Sequence, residues 1–279
     1  MPDVRPAIAL LVLVMLAWQP ACSAATRPGA APTITAVTLN LWHDKADWPT
    51  RRAAIVEGLR RLRPDVIALQ EVLQHEALPN QARALARDLG YRVVFASVDS
   101  ASATRRYGNA ILTRHPILAE DWRKLRPWDD WRIAVHVRIA IHRRALDVYA
   151  THLHHTTAGG AIRARQIGDL TAFVDATARG DAAVLLGDFN AAFDAPELAA
   201  LRARWQDAYD RMHPDAAQDV AAHSTLNPAL LPPLRVDHVL FDPARMDAVS
   251  TRRLFDTPLA DGQWASDHFG ILATLRWRD

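Results

Sequence analysis

The chain has 279 residues, half of them hydrophobic, with 23% charged and a net charge of +2, so disorder and fibrous repeats are excluded and one domain with a large core is expected. Thirty-one of the 33 basic residues are arginine, but the pairs at 105–106, 143–144 and 252–253 are scattered, which reads as solvated surface rather than a nucleic-acid-binding face.

Residues 1–25 read as a signal peptide: Arg5, an apolar run from Ile8 to Trp18, then the small residues Ala21-Cys22-Ser23-Ala24-Ala25. The run is about half of what a bilayer span requires, so no stable span is expected after processing. Cleavage near Ala24 or Ala25 removes Cys22, the only cysteine, and leaves no internal disulfide. Export to the periplasm or medium follows, with lipid attachment at Cys22 as the alternative. Residues 26–33, rich in Pro, Gly and Ala, read as a linker, and the catalytic domain is expected over 34–279.

The domain opens with a β-rich run at Ile34–Leu41 and a helix over Arg51–Arg63 that Pro64 stops. Val66–Leu69 is a continuous apolar run suited to a strand buried on both faces, and Gln81–Leu89 is a helix ending at Gly90. Strands are predicted at Tyr91–Ala96, Ala110–Thr113, Ile117–Trp122, Ile133–Ile141 and Leu146–Thr151, then a helix at Ala161–Ala178 and strands at Ala183–Leu186, Val236–Phe241 and Gly270–Arg276. Val135, Val137 and Ile139 alternate with His136 and Arg138, which predicts one buried and one wetter face. The pattern favours an α/β (α+β) fold with packed sheets and helices outside. Trp122, Trp128 and Trp131 are expected to fill core and loop packing.

Polar residues gather at the strand ends, where sites are usually built. They are Asn40, Glu71, His152, Asp188, Asn190, Asp237, Asp267 and His268. Each has a bland explanation as a cap or a structural histidine; so many at strand edges do not. Sparse carboxylate and amide oxygens suit a hard cation that keeps several waters and takes a substrate phosphate. Glu71 follows a buried run, and a cation is its expected partner. A His held by a carboxylate, and an Asp with a neighbouring Asn, suit proton transfer and stabilisation of an oxyanion. A zinc hydrolase would require tightly spaced His and Cys ligands that the sequence lacks. A catalytically dead binding module is disfavoured because every polar position carries a competent residue.

Asn40-x-Trp42, Leu69-Gln70-Glu71, Gly108-Asn109-Ala110-Ile111-Leu112-Thr113-Arg114, Thr151-His152-Leu153, Gly187-Asp188-Phe189-Asn190, Arg235-Val236-Asp237-His238-Val239 and Ser266-Asp267-His268, in that order, resemble the endonuclease/exonuclease/phosphatase superfamily. The resemblance spans about Ile34 to Leu275. It implies a four-layer α/β/β/α sandwich of two mixed β-sheets flanked by helices, as in deoxyribonuclease I-like proteins, and hydrolysis of phosphate esters with Mg²⁺ or Mn²⁺. It also implies that Glu71 is the principal metal ligand, beside Asn40 and with Asp267 nearby. His268 would activate water or stabilise the phosphorane, oriented by Asp237, while Asp188 and Asn190 handle proton transfer and a phosphate oxygen, and His152 contacts the phosphate or leaving group. Arg163 and Gln166 are expected to give packing support, and Tyr107, His154 and His155 are candidates for the cleft edge. The expected partner is a phosphoester, of small or lipid type, with nucleic acid entering only as a substrate.

Export carries its own test. Amino-terminal sequencing of the protein made in its host is expected to start between Cys22 and Thr26; an intact Met1 on cytoplasmic material refutes export, and a lipid-modified Cys22 overturns the soluble form.

Overall fold

The computed structural model describes residues 31–278. The expected signal peptide, Cys22 and most of the linker lie outside the described residues. Within them, no helix is long and apolar enough to cross a membrane.

Among the described residues, twelve strands form two six-stranded sheets. The first half of the chain gives β1 (Thr33–Asn40), α1 (Trp48–Leu62), β2 (Val66–Gln74), α2 (Gln81–Leu89), β3 (Arg92–Ser97) and β4 (Arg106–Thr113). The second half gives β5 (Ile117–Lys124), β6 (Ile133–Ile141), β7 (Arg144–His152), α3 (Gly160–Thr177), β8 (Ala182–Asp188), β9 (Gln206–Asp207), β10 (Asp237–Phe241), β11 (Met246–Leu254) and β12 (Gly270–Trp277), with short helical turns between β8 and β10. One sheet has the order β11-β12-β1-β2-β4-β3 and the other β5-β6-β7-β8-β10-β9. Only β1–β2 and β7–β8 pair in parallel. Each of these pairs needs a crossover, which α1 and α3 supply.

Side-chain alternation builds the layers. On β1 and β2, Ile34, Ala36, Val66 and Ala68 face the second sheet, where they meet Val135, Val137, Val148, Val184 and Leu186. Val37, Leu39, Ile67 and Leu69 face the other way and pack on Ile55 and Leu59 of α1 and Leu85 of α2. Tyr149, Leu185 and Leu240 pack on Ile167, Leu170 and Phe173 of α3. The result is the expected α/β/β/α sandwich, and both faces of the inner strands are buried.

That burial corrects three expectations. The outer face of β6 is wetter only at Arg138 and Ala140: His136 is 3% exposed, donates from Nε2 to Asp147 at 2.9 Å, and stacks on Tyr149 with Phe173 at its edge. Trp122, Trp128 and Trp131 do not fill the core; they are 46%, 62% and 60% exposed, because β5 is an edge strand and the loop after it projects outward. Thr33, placed in the linker by composition, already pairs with Arg276 on β12. The edge strand β11 went unpredicted, since its run Met-Asp-Ala-Val-Ser-Thr-Arg-Arg-Leu carries solvent-facing charge on one side.

Close backbone approach fixes two glycines. A Cβ on Gly187, at φ 155°, would lie 2.1 Å from the Thr151 carbonyl oxygen, and one on Gly108 would lie 1.9 Å from that of Ala96. Only glycine lets β8 sit so tightly on β7.

A buried ion network closes the far side of the second sheet. Asp207 accepts from Arg235 at 2.7 Å and from His238 Nδ1 at 2.5 Å, while His238 Nε2 reaches the Ala191 carbonyl at 2.9 Å. Burial works against the Asp207 charge, but the Arg235 and His238 charges and hydrogen bonds hold its carboxyl far below the usual carboxylate range. A depressed folded-state pKa stabilises the fold above the unfolded value, roughly 3.9, and the contribution is lost as pH falls below it. Asp207→Asn is therefore expected to cost about 3 kcal/mol near neutral pH, as for a broken buried pair, with the gap to wild type shrinking below about pH 4. Urea denaturation across a pH series checks this, and a gap that stays constant with pH contradicts it.

Candidate active site

Register brings the site together. His152 ends β7, Asp188 ends β8 and Asp237 starts β10; the parallel β7–β8 ladder pairs His152 with Asp188, and the antiparallel β8–β10 ladder pairs Asp188 with Asp237. Three polar side chains therefore stand side by side at one end of the second sheet. The first sheet supplies Asn40 from the end of β1 and Glu71 from β2, and the loop before β12 supplies Asp267 and His268.

Glu71 does not end its strand, as the sequence suggested. β2 continues to Gln74 through a bulge between Leu69 and Val72, and Glu71 adopts φ 55° there. The bulge turns the carboxylate out of the ladder and toward the sheet end.

The contacts form one connected set. Asn40 Nδ2 donates to Asp188 Oδ2 at 3.1 Å, and its Oδ1 accepts from Trp42 N at 2.9 Å. Asp188 Oδ1 accepts from Asn190 N at 2.9 Å, and Asn190 Nδ2 donates to the Leu153 carbonyl at 2.9 Å. His152 Nε2 lies 3.4 Å and His268 Nε2 3.9 Å from Asp188 Oδ2. His268 Nδ1 meets Asp237 Oδ2 at 2.9 Å, and Ser266 Oγ, donating to the Asn40 carbonyl at 2.7 Å, accepts from His268 N at 3.1 Å. Asp188, Asp237 and His268 place ligand-type atoms within 4.8 Å of one another. All eight residues singled out by sequence thus converge at this end of the sandwich.

Burial and charge tune the groups apart. Burial, reinforced by the Asp237 charge, pushes the Asp188 carboxyl up to about 7. For His268 burial acts in the opposite direction, but the Asp237 charge and hydrogen bond, with Asp188 and Asp267, push the imidazole up to about 10. Burial and the positive charges of Arg132 and the neighbouring histidines hold His152 well below the usual imidazole range. One imidazole is thus kept cationic and the other neutral.

Glu71 has a protein partner after all: His43 Nε2 lies 2.8 Å from its Oε2. Burial disfavours the Glu71 charge, but the His43 hydrogen bond and charge, with help from His268 and Asn40, hold its carboxyl below the usual range. Asp267 is pushed up to about 6 by burial and by the Glu71 charge, against the pull of His268. An ionised Glu71 beside Asp267 is a carboxylate donor set suited to a cation, while Asn40 turns its amide NH2 toward Glu71 and Asp188 and its oxygen toward Trp42 N. The residues present fit a divalent metal.

Sequence reasoning missed His43 and Arg132. Tyr107, left as an edge candidate, joins them: its ring stacks on His43 at 5.1 Å, and its hydroxyl lies 3.5 Å from His152 Nδ1 and 3.5 Å from Arg132. These side chains line a cavity of about 550 Å³ that runs from the site past Trp131, His154 and His155, with Asp99, Asp129 and Asp130 also on its wall. Arg163 and Gln166 provide support as expected: Arg163 donates to the His154 and Thr156 carbonyls, and Gln166 Oε1 accepts from His154 N at 2.8 Å. His43 follows the Asn-Leu-Trp segment directly and Arg132 precedes β6, so strand-edge polarity was the signal that could have found both.

The model of the endonuclease/exonuclease/phosphatase family matches residues 37–268. The chain belongs to this family. Family membership makes it a hydrolase of phosphoester bonds. No curated protein matches it in sequence. Solved structures share the fold: a humanized D. rerio TDP2 carrying 14 mutations superposes with a TM-score of 0.73 at 19% identity, covering 88% of this chain and 99% of that one. An endonuclease/exonuclease/phosphatase from Bacteroides vulgatus gives 0.72 at 18%, covering 88% and 100%. D. rerio TDP2 in complex with a single-strand DNA product gives 0.73 at 17%, covering 88% and 99%. At these identities the likeness is one of fold.

Asp237 fixes the direction and charge of the His268 imidazole through the Nδ1 hydrogen bond. Asp237→Asn and His268→Ala are expected to be strongly non-additive in turnover, with a coupling of about 1–3 kcal/mol. Fully additive losses in the double variant would show that the pair is not coupled.

Proposed function

We propose that the protein is a divalent-metal-dependent phosphodiesterase or phosphatase, exported, that acts on a small or lipid-type phosphoester. The observation that carries the reading is the hydrogen-bonded pairs Asn40–Asp188 and Asp237–His268, with His152 Nε2 3.4 Å from Asp188, set beside the Glu71 and Asp267 carboxylates at one sheet end.

Glu71, Asn40 and Asp267 would hold the metal, Mg²⁺ or Mn²⁺. Bound there, a divalent cation supplies neutralisation of phosphate charge and polarises the phosphorus centre. The other residues have their own tasks. Asp188, whose ionisation is held near neutrality, accepts a proton from the attacking water, and Asn190 N–H fixes its orientation. His268, fixed through Nδ1 by Asp237, presents Nε2–H as a cationic donor to the charge developing on the phosphoryl oxygens. One Asn190 amide hydrogen remains beyond the Leu153 carbonyl and can hold a phosphate oxygen. His152, neutral and facing Tyr107, lies on the cavity side and contacts the phosphate or leaving group.

The cavity supports a compact leaving group. Its aromatic and imidazole walls suit one small group, and its charges are mixed, Asp99, Asp129 and Asp130 standing with Arg105 and Arg132, rather than a continuous basic track for a long polyanion. A dedicated DNA enzyme would gain most of its affinity from many Lys and Arg contacts to phosphates. A nuclease is the second reading, favoured by the fold shared with a TDP2 solved with a single-strand DNA product.

Turnover of an aryl phosphodiester, a glycerophospholipid and duplex and single-stranded DNA, with Mg²⁺ or Mn²⁺ and then with chelator, tests the reading. Small or lipid substrates are expected to turn over and chelation to abolish it; strongly salt-sensitive DNA cutting without activity on the others reverses the order. Glu71→Gln is expected to lower metal affinity and activity together, and His268→Ala to cost at least about a hundredfold in turnover. Unchanged metal dependence in Glu71→Gln would sink the ligand assignment.

A further inference from the structure

Among the described residues Arg51, Arg132, Arg163 and Arg235 are the buried arginines, and all but one are firmly bonded. Arg51 donates to the carbonyls of Leu41, His43, Lys45 and Ala265 at 2.8–2.9 Å, Arg163 to Glu197 and two carbonyls, and Arg235 to Asp207 and Asp210. Arg132 is the exception. Its side chain is 8% exposed and its Nε has no partner, while its other nitrogens reach only the Tyr107 hydroxyl at 3.5 Å and His155 Nδ1 at 3.4 Å, the outer limit of a hydrogen bond. The nearest carboxylate, Asp130, stands 3.7 Å from Nε and is engaged elsewhere: Oδ2 accepts from His154 Nδ1 at 2.9 Å and from Gln166 Nε2 at 3.0 Å, and Oδ1 accepts from Trp131 N at 2.9 Å. A buried charge without a bonded counter-ion is costly, and this one lines the cavity.

Its neighbours are donors too. A guanidinium only donates, so His155 Nδ1 accepts from Arg132 and the ring hydrogen sits on Nε2. Burial pushes the Tyr107 phenol up, so its hydroxyl keeps a proton to give. That hydroxyl also lies 3.5 Å from His152 Nδ1, which leaves one side chain between the guanidinium and an imidazole of the reaction site. Of the other acids on the cavity wall, Asp99 accepts from Ser97 Oγ and Tyr107 N, and Asp129 is exposed at the rim.

We infer that Arg132, with the Tyr107 hydroxyl and His155, binds a second anionic group of the substrate, a carboxylate or phosphate carried on the leaving-group side a few bonds from the phosphorus that is attacked. A planar guanidinium with uncommitted N–H groups suits either oxyanion and can take it through two parallel hydrogen bonds. The inference rests on the proposed phosphoesterase reading and adds to it the substrate class: a small phosphoester with two separated negative groups.

The experiment measures binding with chelator present, so that no metal takes part. The probes are non-hydrolysable and of similar length: propylphosphonate with one anionic group, 3-phosphonopropionate with an added carboxylate, and ethane-1,2-diphosphonate with an added phosphonate. Calorimetry on the wild-type protein is expected to show at least about tenfold tighter binding of one or both two-headed probes than of propylphosphonate, and the tighter of the two names the group. Arg132→Gln should bring all three to within about threefold of one another. Arg143→Gln, which removes an exposed charge from the β6–β7 turn at the far end of the sheet, should leave the preference intact. Equal or absent binding of the three probes by the wild type overturns the inference and leaves the phosphoesterase reading standing. A preference that survives in Arg132→Gln, or falls as far in Arg143→Gln, overturns it as well. The wild-type result decides the matter even if Arg132→Gln fails to fold. A two-headed preference in a protein that hydrolyses no phosphoester with metal added supports the anion pocket and sinks the phosphoesterase reading alone.

Discussion

The Asp188 carboxylate is the point on which both sheets close. It sits at 1% exposure, takes a hydrogen bond from Asn40 of the first sheet and another from the backbone after its own strand, and stands between His152 and His268. A buried acid in this position is costly unless its lone pairs are satisfied. The sandwich satisfies them only when β1, β7, β8 and β10 end at the same level. The demand for a polar environment around one carboxylate therefore ties the register of two sheets to the geometry of a site.

The supporting structure follows from that demand. Gly187 lets β8 approach β7 closely enough for His152 to stand opposite Asp188. The bulge at Glu71 lifts a second carboxylate out of the ladder, and Ser266 ties the loop carrying Asp267 and His268 to the end of β1. Behind Asn190, the Asp207–Arg235–His238 network reaches the Ala191 carbonyl and stiffens the segment after β8. Positioning of this kind, from rigid strand ends backed by hydrogen bonds, is what lets a few polar groups act together on a phosphate.

The same arrangement separates the charges. Within a small volume His268 is held cationic, His152 is held neutral and the Asp188 carboxyl is pushed up to about 7, each by burial and by its own neighbours. Groups driven apart in this way can take different parts in one proton-transfer sequence. The cavity beyond Tyr107 opens next to the neutral imidazole.

Much of this was legible in the residues. Helices α1, α2 and α3 and most strands were found, because hydrophobic periodicity and the stop signals at Pro64 and Gly90 are local properties, and the eight polar positions meet at one end of the sandwich although Glu71 lies inside its strand. What sequence could not supply depended on contacts far along the chain. Whether His136 faced water was decided by α3 covering β6, and whether Trp122, Trp128 and Trp131 were buried was decided by β5 falling at a sheet edge. The pairing of His43 with Glu71 required a bulge, a left-handed segment and the buried Arg51, none of which has a periodic signature. Sequence marked the polar positions from which the candidate site is drawn; the tertiary structure decided which of them touch, because strand order and loop conformation are settled by packing between distant segments.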